Sequence, residues 1–431
     1  MTTLDHPTAA AEPLRQRVEP QLAGDVIGLL TSVLGAAPPV RLRMWDGSVA
    51  GDGPTPVTVG SPDALRRLTW HPGELGLAQA YVTGGIDVDG DLGAGLRAMW
   101  DAARSGARTP TARTLVRSAP SIMRLARRVG ALGRPLPPPP SQARLRGRLH
   151  SLTRDRAAIA HHYDLSNDFY ELLLDPRMVY SCGYWTSDEP SYGVADAQED
   201  KLDLVCQKLG LASGDRLLDV GCGWGATAIH AAANYGARVT AITLSEQQAA
   251  FGRRRVAELG LDDWIDIRVQ DYRTLDAGHD APFDAVSSLE MGEHVGAGNY
   301  GTYTAVLRRM VRPGGRVLVQ QMARRGSAPG GGAFIEAFIA PDMHMRPVGD
   351  TVALIEDAGL EVVDVQGLRE HYVRTIRAWH DRLEARWDDA VALVGEETAR
   401  VWRVYLVGSA LSFEEGRMGV DQILAVRPDA G

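Results

Sequence analysis

A glycine series that directly follows a short apolar run constrains this chain more than any other feature of its sequence. Residues 216–225 read RLLDVGCGWG, so that Gly221, Gly223 and Gly225 occupy alternate positions after the run. Such a pattern predicts a buried parallel strand that turns sharply into a helix, with the first helical turn close to a ligand. We therefore expect an α/β domain with a ligand-binding loop at this point.

Asp219, two residues ahead of the first glycine, distinguishes between two classes of ligand. The spacing, with Ala226 in the last small position, also satisfies the looser dinucleotide pattern of dehydrogenases. A carboxylate here would repel a pyrophosphate, but it would attract S-adenosylmethionine, which is cationic at its sulfur and its amino group. We interpret the loop as a methyl-donor site, with simple helix capping by Asp219 as the alternative.

An alternating strand–helix pattern runs from about residue 217 to residue 318 and predicts a doubly wound parallel sheet. Ligands of such sheets bind at the carboxyl ends of the strands. Four polar residues at the carboxyl ends of predicted strands are expected to cluster there: Asp219, Thr243, Asp271 and Glu290. Two long helices, predicted at residues 375–393 and 397–413, and a last strand at 422–426 complete the sheet and add a lid.

The formal net charge of -8 conceals a strongly basic segment. Residues 118–132 within it mix apolar side chains with arginines, which indicates an interfacial amphipathic helix or, alternatively, a solvated basic linker. An anionic membrane surface is the expected partner, whereas nucleic acid is not, because the segment lacks aromatic side chains for base stacking. Residues 102–153 contain no Asp or Glu but include Arg104, Arg108, Arg113, Arg117, Arg124, Arg127, Arg128, Arg134, Arg144, Arg146 and Arg148.

Cysteine usage and hydropathy indicate a cytoplasmic protein. The three cysteines, Cys182, Cys206 and Cys222, form no C-x-x-C pair and suit a reducing compartment. No cluster of Cys and His has the spacing of a metal site. No apolar run approaches the roughly 20 residues that span a bilayer, and the N-terminus lacks a signal-peptide pattern.

Three further motifs flank the glycine loop in the order found in cyclopropane-fatty-acyl-phospholipid synthases. They are HYDLSND at 162–168, YSCGYW at 180–185 and EHVG at 293–296. The chain resembles this family from about residue 73 to its end. The resemblance implies a class I methyltransferase Rossmann-like fold with a helical lid and a smaller N-terminal α+β lobe. It also implies methyl transfer from S-adenosylmethionine to the double bond of a phospholipid acyl chain.

With this resemblance, four segments are predicted. Residues 1–20 are a polar, disordered tail. Residues 21–103 are an N-terminal lipid-handling lobe, and residues 104–150 are the basic segment, which contains a stiff proline spacer at 135–140. Residues 151–431 are the methyltransferase domain. The protein is expected to lie peripherally at the inner face of the plasma membrane, and self-association is a further expectation.

The resemblance also implies which residues bind the donor. Tyr180 and Ser181 would contact its methionine part, whereas Asp271 and Tyr272 would border its adenine. Each residue also has a structural alternative as a helix cap, a first-turn residue or a core residue. The implied donor-binding set is Tyr180, Ser181, Asp219, Gly221, Gly223, Thr243, Gln248, Asp271 and Tyr272.

The sequence departs from the family at the site of the catalytic base. In cyclopropane synthases the base is a bound bicarbonate ion, and the positions that match its ligands are here Cys182, Glu293, Gln320 and Tyr372. The family has a histidine where Gln320 stands and a small residue, usually glycine, where Glu290 stands. At ~4 Å two like charges repel by several kcal/mol in a partly dry pocket, so these changes should expel bicarbonate. We predict that Glu290 is the base, with bicarbonate a doubtful second cofactor.

This pattern resembles the actinobacterial methylene-fatty-acid synthases, whose 10-methylene product a separate reductase converts to a 10-methyl chain. In one alternative, Glu290 pairs with Arg324 and the enzyme forms cyclopropanes. In another, the protein binds the donor or a lipid without turnover. Aromatic faces could stabilise the carbocation of the reaction, although core packing is the alternative for each ring. The candidates for this aromatic wall are Tyr163, Tyr184, Trp185 and Tyr372.

Overall fold

The computed structural model describes residues 21–105, 112–145, 147–151, 154–155, 158, 166–280, 282–325 and 330–429. The predicted tail and residues 161–165, which include Tyr163, lie outside the described residues. Two compact units divide the described chain: residues up to 66 with 86–133 form the smaller one, and residues 67–85 with those from 134 onward form the larger one.

The smaller unit is built on a four-stranded sheet with the order β2-β1-β3-β4. Strand β1 buries alternate side chains, as its alternating sequence predicts. It pairs antiparallel with β2 and parallel with β3, and β3 pairs antiparallel with β4. The strands are β1 (Val40–Met44), β2 (Val49–Ala50), β3 (Thr55–Val59) and β4 (Ile86–Val88), and the helices are Leu22–Leu34, Leu92–Ser105 and Ala112–Arg128. The boundary between the two units falls within a further helix, Pro62–Trp70.

The arginine-rich segment contains the helix Ala112–Arg128, which packs against Leu22–Leu34. Ala126 is buried, and Arg128 forms an ion pair with Asp25. The two units therefore divide the chain differently from the predicted segments. This helix belongs to the smaller unit, whereas the helix Glu74–Val82 packs against Trp387–Glu414 in the larger one.

The larger unit contains a seven-stranded sheet with the order β10-β11-β9-β8-β5-β6-β7. The five strands from β9 to β7 are parallel, as predicted. At the other edge β11 runs antiparallel to β9 and β10, so that the sheet is mixed, an arrangement common in large α/β sheets. The strands are β5 (Arg216–Val220), β6 (Arg238–Thr243), β7 (Ile265–Val269), β8 (Phe283–Leu289), β9 (Val311–Arg324), β10 (Glu361–Gly367) and β11 (Met418–Val426).

The chain leaves β5 towards β6 and β7 and then returns to place β8 on the opposite side of β5. This reversal creates a switch point at the carboxyl ends of β5 and β8, where ligands of open α/β sheets bind. The α-helices of this unit are Glu74–Val82, Asn167–Leu173, Val194–Leu209, Ala226–Tyr235, Glu246–Glu258, Tyr300–Met310, Val348–Asp357, Arg369–Ala385 and Trp387–Glu414.

The predicted helix at 375–393 is wrong at its end. The first long helix stops before Arg386, whose φ of -126° and ψ of 35° are not helical. The second begins at Trp387 and is kinked at Gly395, where φ is 79°. In the part of the chain that the structure describes, each helix is too short or too polar to traverse a bilayer.

Candidate active site

A pocket opens at the predicted edge of the sheet, beside the carboxyl ends of β5 and β6. Every residue of the implied donor-binding set lines it, and so does Glu290. Gly221 forms part of its wall with a φ of 86°, and a Cβ there would lie 2.8 Å from Cγ of Met291. The loop therefore needs glycine at this position both for its backbone conformation and for its close approach to a neighbour.

Asp219 lines this pocket and has one carboxylate oxygen without a hydrogen-bond partner among the described residues. Its side chain is buried, and its Oδ1 accepts a hydrogen bond from Oγ of Ser287 at 2.7 Å. Its Oδ2 has no hydrogen-bond partner among the described residues. A buried carboxylate oxygen without a partner is costly unless a ligand supplies a donor. The site therefore fits the cationic amino group of S-adenosylmethionine, as the sequence predicts.

Replacing Asp219 by asparagine is expected to weaken S-adenosylhomocysteine binding by roughly 10–100-fold, because hydrogen bonds to charged groups contribute about 1.5–3 kcal/mol. Burial raises the pKa of Asp219 to about 6, so affinity of the unaltered protein should fall as the pH drops below that value. Calorimetric titration from about pH 5 to pH 8 measures both effects. Asp215→Asn, just before the same strand, is the matched control. Equal affinities for Asp219→Asn and the unaltered protein across this range would contradict the assignment.

The other predicted donor contacts have internal partners as well. Oγ1 of Thr243 donates to Oε1 of Gln248 at 2.8 Å, and Oγ of Ser245 caps the following helix by accepting from the Gln248 amide. Asp271 accepts from Nε and Nη2 of Arg273 at 2.8 and 2.7 Å. These bonds fix the shape of the pocket wall. The assignment of donor contacts to these residues stays a prediction.

The Glu290 carboxylate is held by three donors on three different segments. Its Oε1 accepts from the backbone amide of Cys182 and from Nε2 of Gln320, each at 2.8 Å. Its Oε2 accepts from the hydroxyl of Tyr372 at 2.6 Å. Burial raises the pKa of Glu290, whereas these hydrogen bonds act in the opposite direction. The structure thus brings four of the five predicted catalytic residues into direct contact.

The backbone at Glu290 has a φ of 51°, in the left-handed region that favours glycine. The Glu290 amide donates to the carbonyl of Gln320 at 2.7 Å, which fixes this conformation. Such strain costs on the order of 1–3 kcal/mol. Arg324 donates to the carbonyl of Gly330, so it takes part in a different contact from the Glu290–Arg324 pair of the alternative.

Glu293, the fifth predicted catalytic residue, lies next to this cluster. It is fully buried, and its Oε1 accepts from the Met322 amide at 2.6 Å. Its Oε2 has no partner within the described ranges. Burial, reinforced by the charge of Glu290, raises the pKa of Glu293 to about 8. This shift favours the neutral form of Glu293, which avoids a second negative charge beside Glu290.

Of the predicted aromatic wall, Tyr372 belongs to the Glu290 cluster, whereas Tyr184 and Trp185 pack against residues of the helix Arg369–Ala385. Tyr372 contacts Glu290, whereas Tyr184 packs against His371 with ring centroids 4.8 Å apart and the ring planes at 39°. Nε1 of Trp185 donates to Oγ1 of Thr375 at 3.0 Å, so that this ring is held against the same helix. Three rings that the sequence did not single out surround Tyr180: Tyr170, Trp379 and Trp402. The hydroxyl of Tyr180 donates to that of Tyr405 at 3.0 Å.

Lys201 is a pocket residue that the sequence reasoning missed. It is 1% exposed, lines the pocket and donates from Nζ to Oγ of Ser181 at 3.0 Å. It is one of only two lysines among 46 Lys and Arg residues. This rarity is the signal that could have directed attention to it.

Comparisons with known proteins identify the family and the fold of the chain. Residues 150–423 match the family model described as mycolic acid cyclopropane synthetase. A probable fatty acid methyltransferase of Pseudomonas putida is 39% identical over 400 residues, which cover 91% of this chain and 93% of that protein. A tuberculostearic acid methyltransferase of Mycobacterium tuberculosis is 33% identical over 408 residues, which cover 90% and 88% of the two chains.

Among solved structures, a mycolic acid cyclopropane synthase complexed with SAH and CTAB is 31% identical, with a TM-score of 0.59. The match covers 63% of this chain and 98% of that one. The predicted class I methyltransferase fold and the predicted family resemblance are confirmed. S-adenosylmethionine is the cofactor, and the Asp219 oxygen that lacks a hydrogen-bond partner is consistent with it.

Proposed function

Since the chain belongs to the mycolic acid cyclopropane synthetase family, we propose that it methylates the cis double bond of a phospholipid-bound unsaturated acyl chain. The proposed substrate is of the oleoyl type, and the proposed product is a 10-methylene chain, the precursor of a 10-methyl lipid. Reduction of that product requires two further hydrogens, so a separate reductase is its proposed consumer.

The Glu290 carboxylate carries this proposal. Its Oε1 already accepts two hydrogen bonds, whereas its Oε2 accepts one. A carboxylate oxygen can accept two, so Oε2 retains a free lone pair. Glu290 can therefore accept a proton itself. The family resemblance implies that cyclopropane synthases hold a bicarbonate ion at this position.

The chemistry then balances without a second cofactor. Bound S-adenosylmethionine supplies an electrophilic methyl group. Methylation of one alkene carbon leaves a cation on the other, and a 1,2-hydride shift moves the positive charge to the methylated carbon. Glu290 then removes a proton from the new methyl group, and the C–H electrons form an exocyclic double bond. A buried site favours this outcome because water would trap the cation.

The strained backbone supports the same role. A glutamate with a φ of 51° is less stable than a glycine at the same place. Strain of this kind persists where the surrounding structure and the function require the side chain. Two of the similar proteins are named as fatty acid methyltransferase and tuberculostearic acid methyltransferase, which agrees with a methylated product.

Ring formation is the second candidate, and the similar solved cyclopropane synthase is the observation in its favour. Proton loss then leads to closure of a three-membered ring rather than to a double bond. The two products have equal mass, but only the methylene product shows olefinic CH2 protons by NMR. Cells rich in oleoyl lipids that express the unaltered protein should contain the methylene product. A cyclopropane product would overturn the proposal.

We also propose that the helix Ala112–Arg128 docks on the anionic inner face of the plasma membrane. Arg117, Arg124 and Arg127 are exposed on it, and Met123 is 45% exposed beside them. Basic residues near such a surface contribute about 1 kcal/mol each, so changing all three to glutamine should weaken vesicle binding about 100-fold.

Co-sedimentation of the full chain with phosphatidylglycerol-containing vesicles at low salt measures this effect. The matched control changes three exposed arginines elsewhere to glutamine: Arg254, Arg377 and Arg386. Equal co-sedimentation with neutral and anionic vesicles would contradict the proposed docking.

A further inference from the structure

Lys201 lies on the helix Val194–Leu209, outside the motifs of the sequence, yet its side chain reaches the active-site pocket. We infer that Lys201 is a positioning residue that supplies the shared positive charge by which Asp219 and Glu290 both stay ionised in one buried pocket. The Glu290 half of this inference rests on the proposed function, whereas the Asp219 half concerns donor binding alone.

The two carboxylates pose an electrostatic problem. Asp219 must be ionised to attract the donor's amino group, and Glu290 must be ionised to accept a proton. Both side chains line the same pocket, where Asp219 is buried and Glu290 is partly buried. Two carboxylates that share such a site repel each other, and one of them then tends to bind a proton. A nearby cation removes this tendency.

The positive charge of Lys201 lies in the same pocket as the carboxylates of Asp219 and Glu290. Its Nζ donates to Oγ of Ser181, and it lines the pocket together with Asp219 and Glu290. A fixed charge of +1 with two carboxylates leaves a net charge of -1. Bound S-adenosylmethionine, which carries two positive charges and one negative charge, has a net charge of +1. The charges of these three side chains and of the bound donor therefore sum to zero, which reduces the cost of placing them together in a partly buried site.

The same helix also supports the segment that holds Glu290. Gln198, one turn before Lys201, donates from Nε2 to the carbonyl of Ser181 at 2.8 Å. The next residue, Cys182, donates its backbone amide to Glu290. A purely structural lysine would need only its hydrogen bond to Ser181. The experiment must therefore separate the charge of Lys201 from its capacity to donate.

Other titratable groups surround the three residues and belong to the same electrostatic environment. Burial raises the pKa of each neighbouring thiol and phenol, so these groups are neutral near pH 7. Burial lowers the pKa of Lys201, and the nearby carboxylates act in the opposite direction. The groups are Cys182, Glu293, Tyr372 and Tyr405 near Glu290, Cys206 and Cys222 near Asp219, and Asp175 near Lys201.

The test compares substitutions of Lys201 with those of Lys208, the other lysine of the chain. Lys208 lies on the same helix but pairs with Asp364 at 3.0 Å. Lys201→Gln keeps a hydrogen-bond donor for Ser181 and removes the charge, whereas Lys201→Arg keeps the charge. Titration of each variant with S-adenosylhomocysteine across pH gives the midpoint below which binding is lost. The pH profile of kcat/KM gives the corresponding midpoint for turnover.

Lys201→Gln should move both midpoints upward by about one pH unit, because loss of a nearby cation raises the pKa of a carboxylic acid. Lys201→Arg should restore them, and Lys208→Gln should leave them unchanged. Thermal unfolding shows whether each variant is folded. Unshifted midpoints in folded Lys201→Gln would overturn the inference.

A shifted binding midpoint, together with full methylene production by Glu290→Gln, would refute the proposed role of Glu290 as the base. In that outcome the role of Lys201 at Asp219 would still be supported. Failure of the inference about Lys201 can therefore be distinguished from failure of the proposed role of Glu290.

Discussion

Turnover of a Glu290→Gln variant is expected to fall about 10²–10⁴-fold, the usual contribution of a general base. Glutamine has nearly the same shape as glutamate, and its oxygen can still accept from the Cys182 amide and from Gln320. Its amide nitrogen would then face the hydroxyl of Tyr372, which can accept instead of donate. The variant should therefore fold and bind the donor but lack a group that can take the proton.

Radiolabelled methyl transfer to oleoyl phospholipid in vesicles measures this loss. The matched control is Glu336→Gln, a half-buried glutamate that accepts from the Asp342 amide at 2.9 Å, away from the pocket. Unaltered binding of S-adenosylhomocysteine by calorimetry would show that the donor site is intact. Methylene production by Glu290→Gln at the rate of the unaltered enzyme would exclude Glu290 as the base.

Removal of the whole side chain by Glu290→Gly is expected to make turnover depend on added bicarbonate. The φ of 51° suits glycine, so the loop keeps its shape. Three donors, on Cys182, Gln320 and Tyr372, then face the space that the carboxylate occupied. A small anion that binds there should raise the turnover of Glu290→Gly at least about tenfold, because it supplies a correctly placed base.

Bicarbonate should also raise the melting temperature of Glu290→Gly, because a ligand that binds only the folded state stabilises it. The unaltered enzyme should show neither response, since the ionised Glu290 repels a second anion. The double variant Glu290→Gly, Gln320→His should respond more strongly, because a histidine can carry a positive charge. Identical bicarbonate responses in Glu290→Gly and the unaltered enzyme would contradict this account.

The strands around the glycine loop could be predicted from the sequence. Apolar runs that end in glycine or polar residues, as at Val220 and Thr243, have few structural solutions other than buried parallel strands. Their carboxyl ends meet at one edge of the sheet, so the pocket position follows from the strand order. The contact between Cys182 and Glu290 could be expected only through the family resemblance, because 108 positions separate the two residues.

Other features depend on tertiary packing that no local pattern reveals. The direction of β11 is set by the return of the chain from the helix Trp387–Glu414, not by its own residues. The helix Glu74–Val82 joins the larger unit because Arg400 donates to the carbonyl of Tyr81 at 2.8 Å and lies over its ring. Lys201 belongs to a helix whose sequence resembles an ordinary amphipathic one, so only its burial shows its place in the pocket.

The left-handed backbone at position 290 has a consequence for how new products arise in this family. A chain with glycine at this position could keep the same loop conformation, since the φ of 51° suits glycine and the bond from the Glu290 amide to the Gln320 carbonyl uses only backbone atoms. Divergence between the two activities then needs no rebuilding of the scaffold. On the proposed role of Glu290, one replacement of glycine by glutamate would exchange a bound bicarbonate ion for a carboxylate of the chain itself.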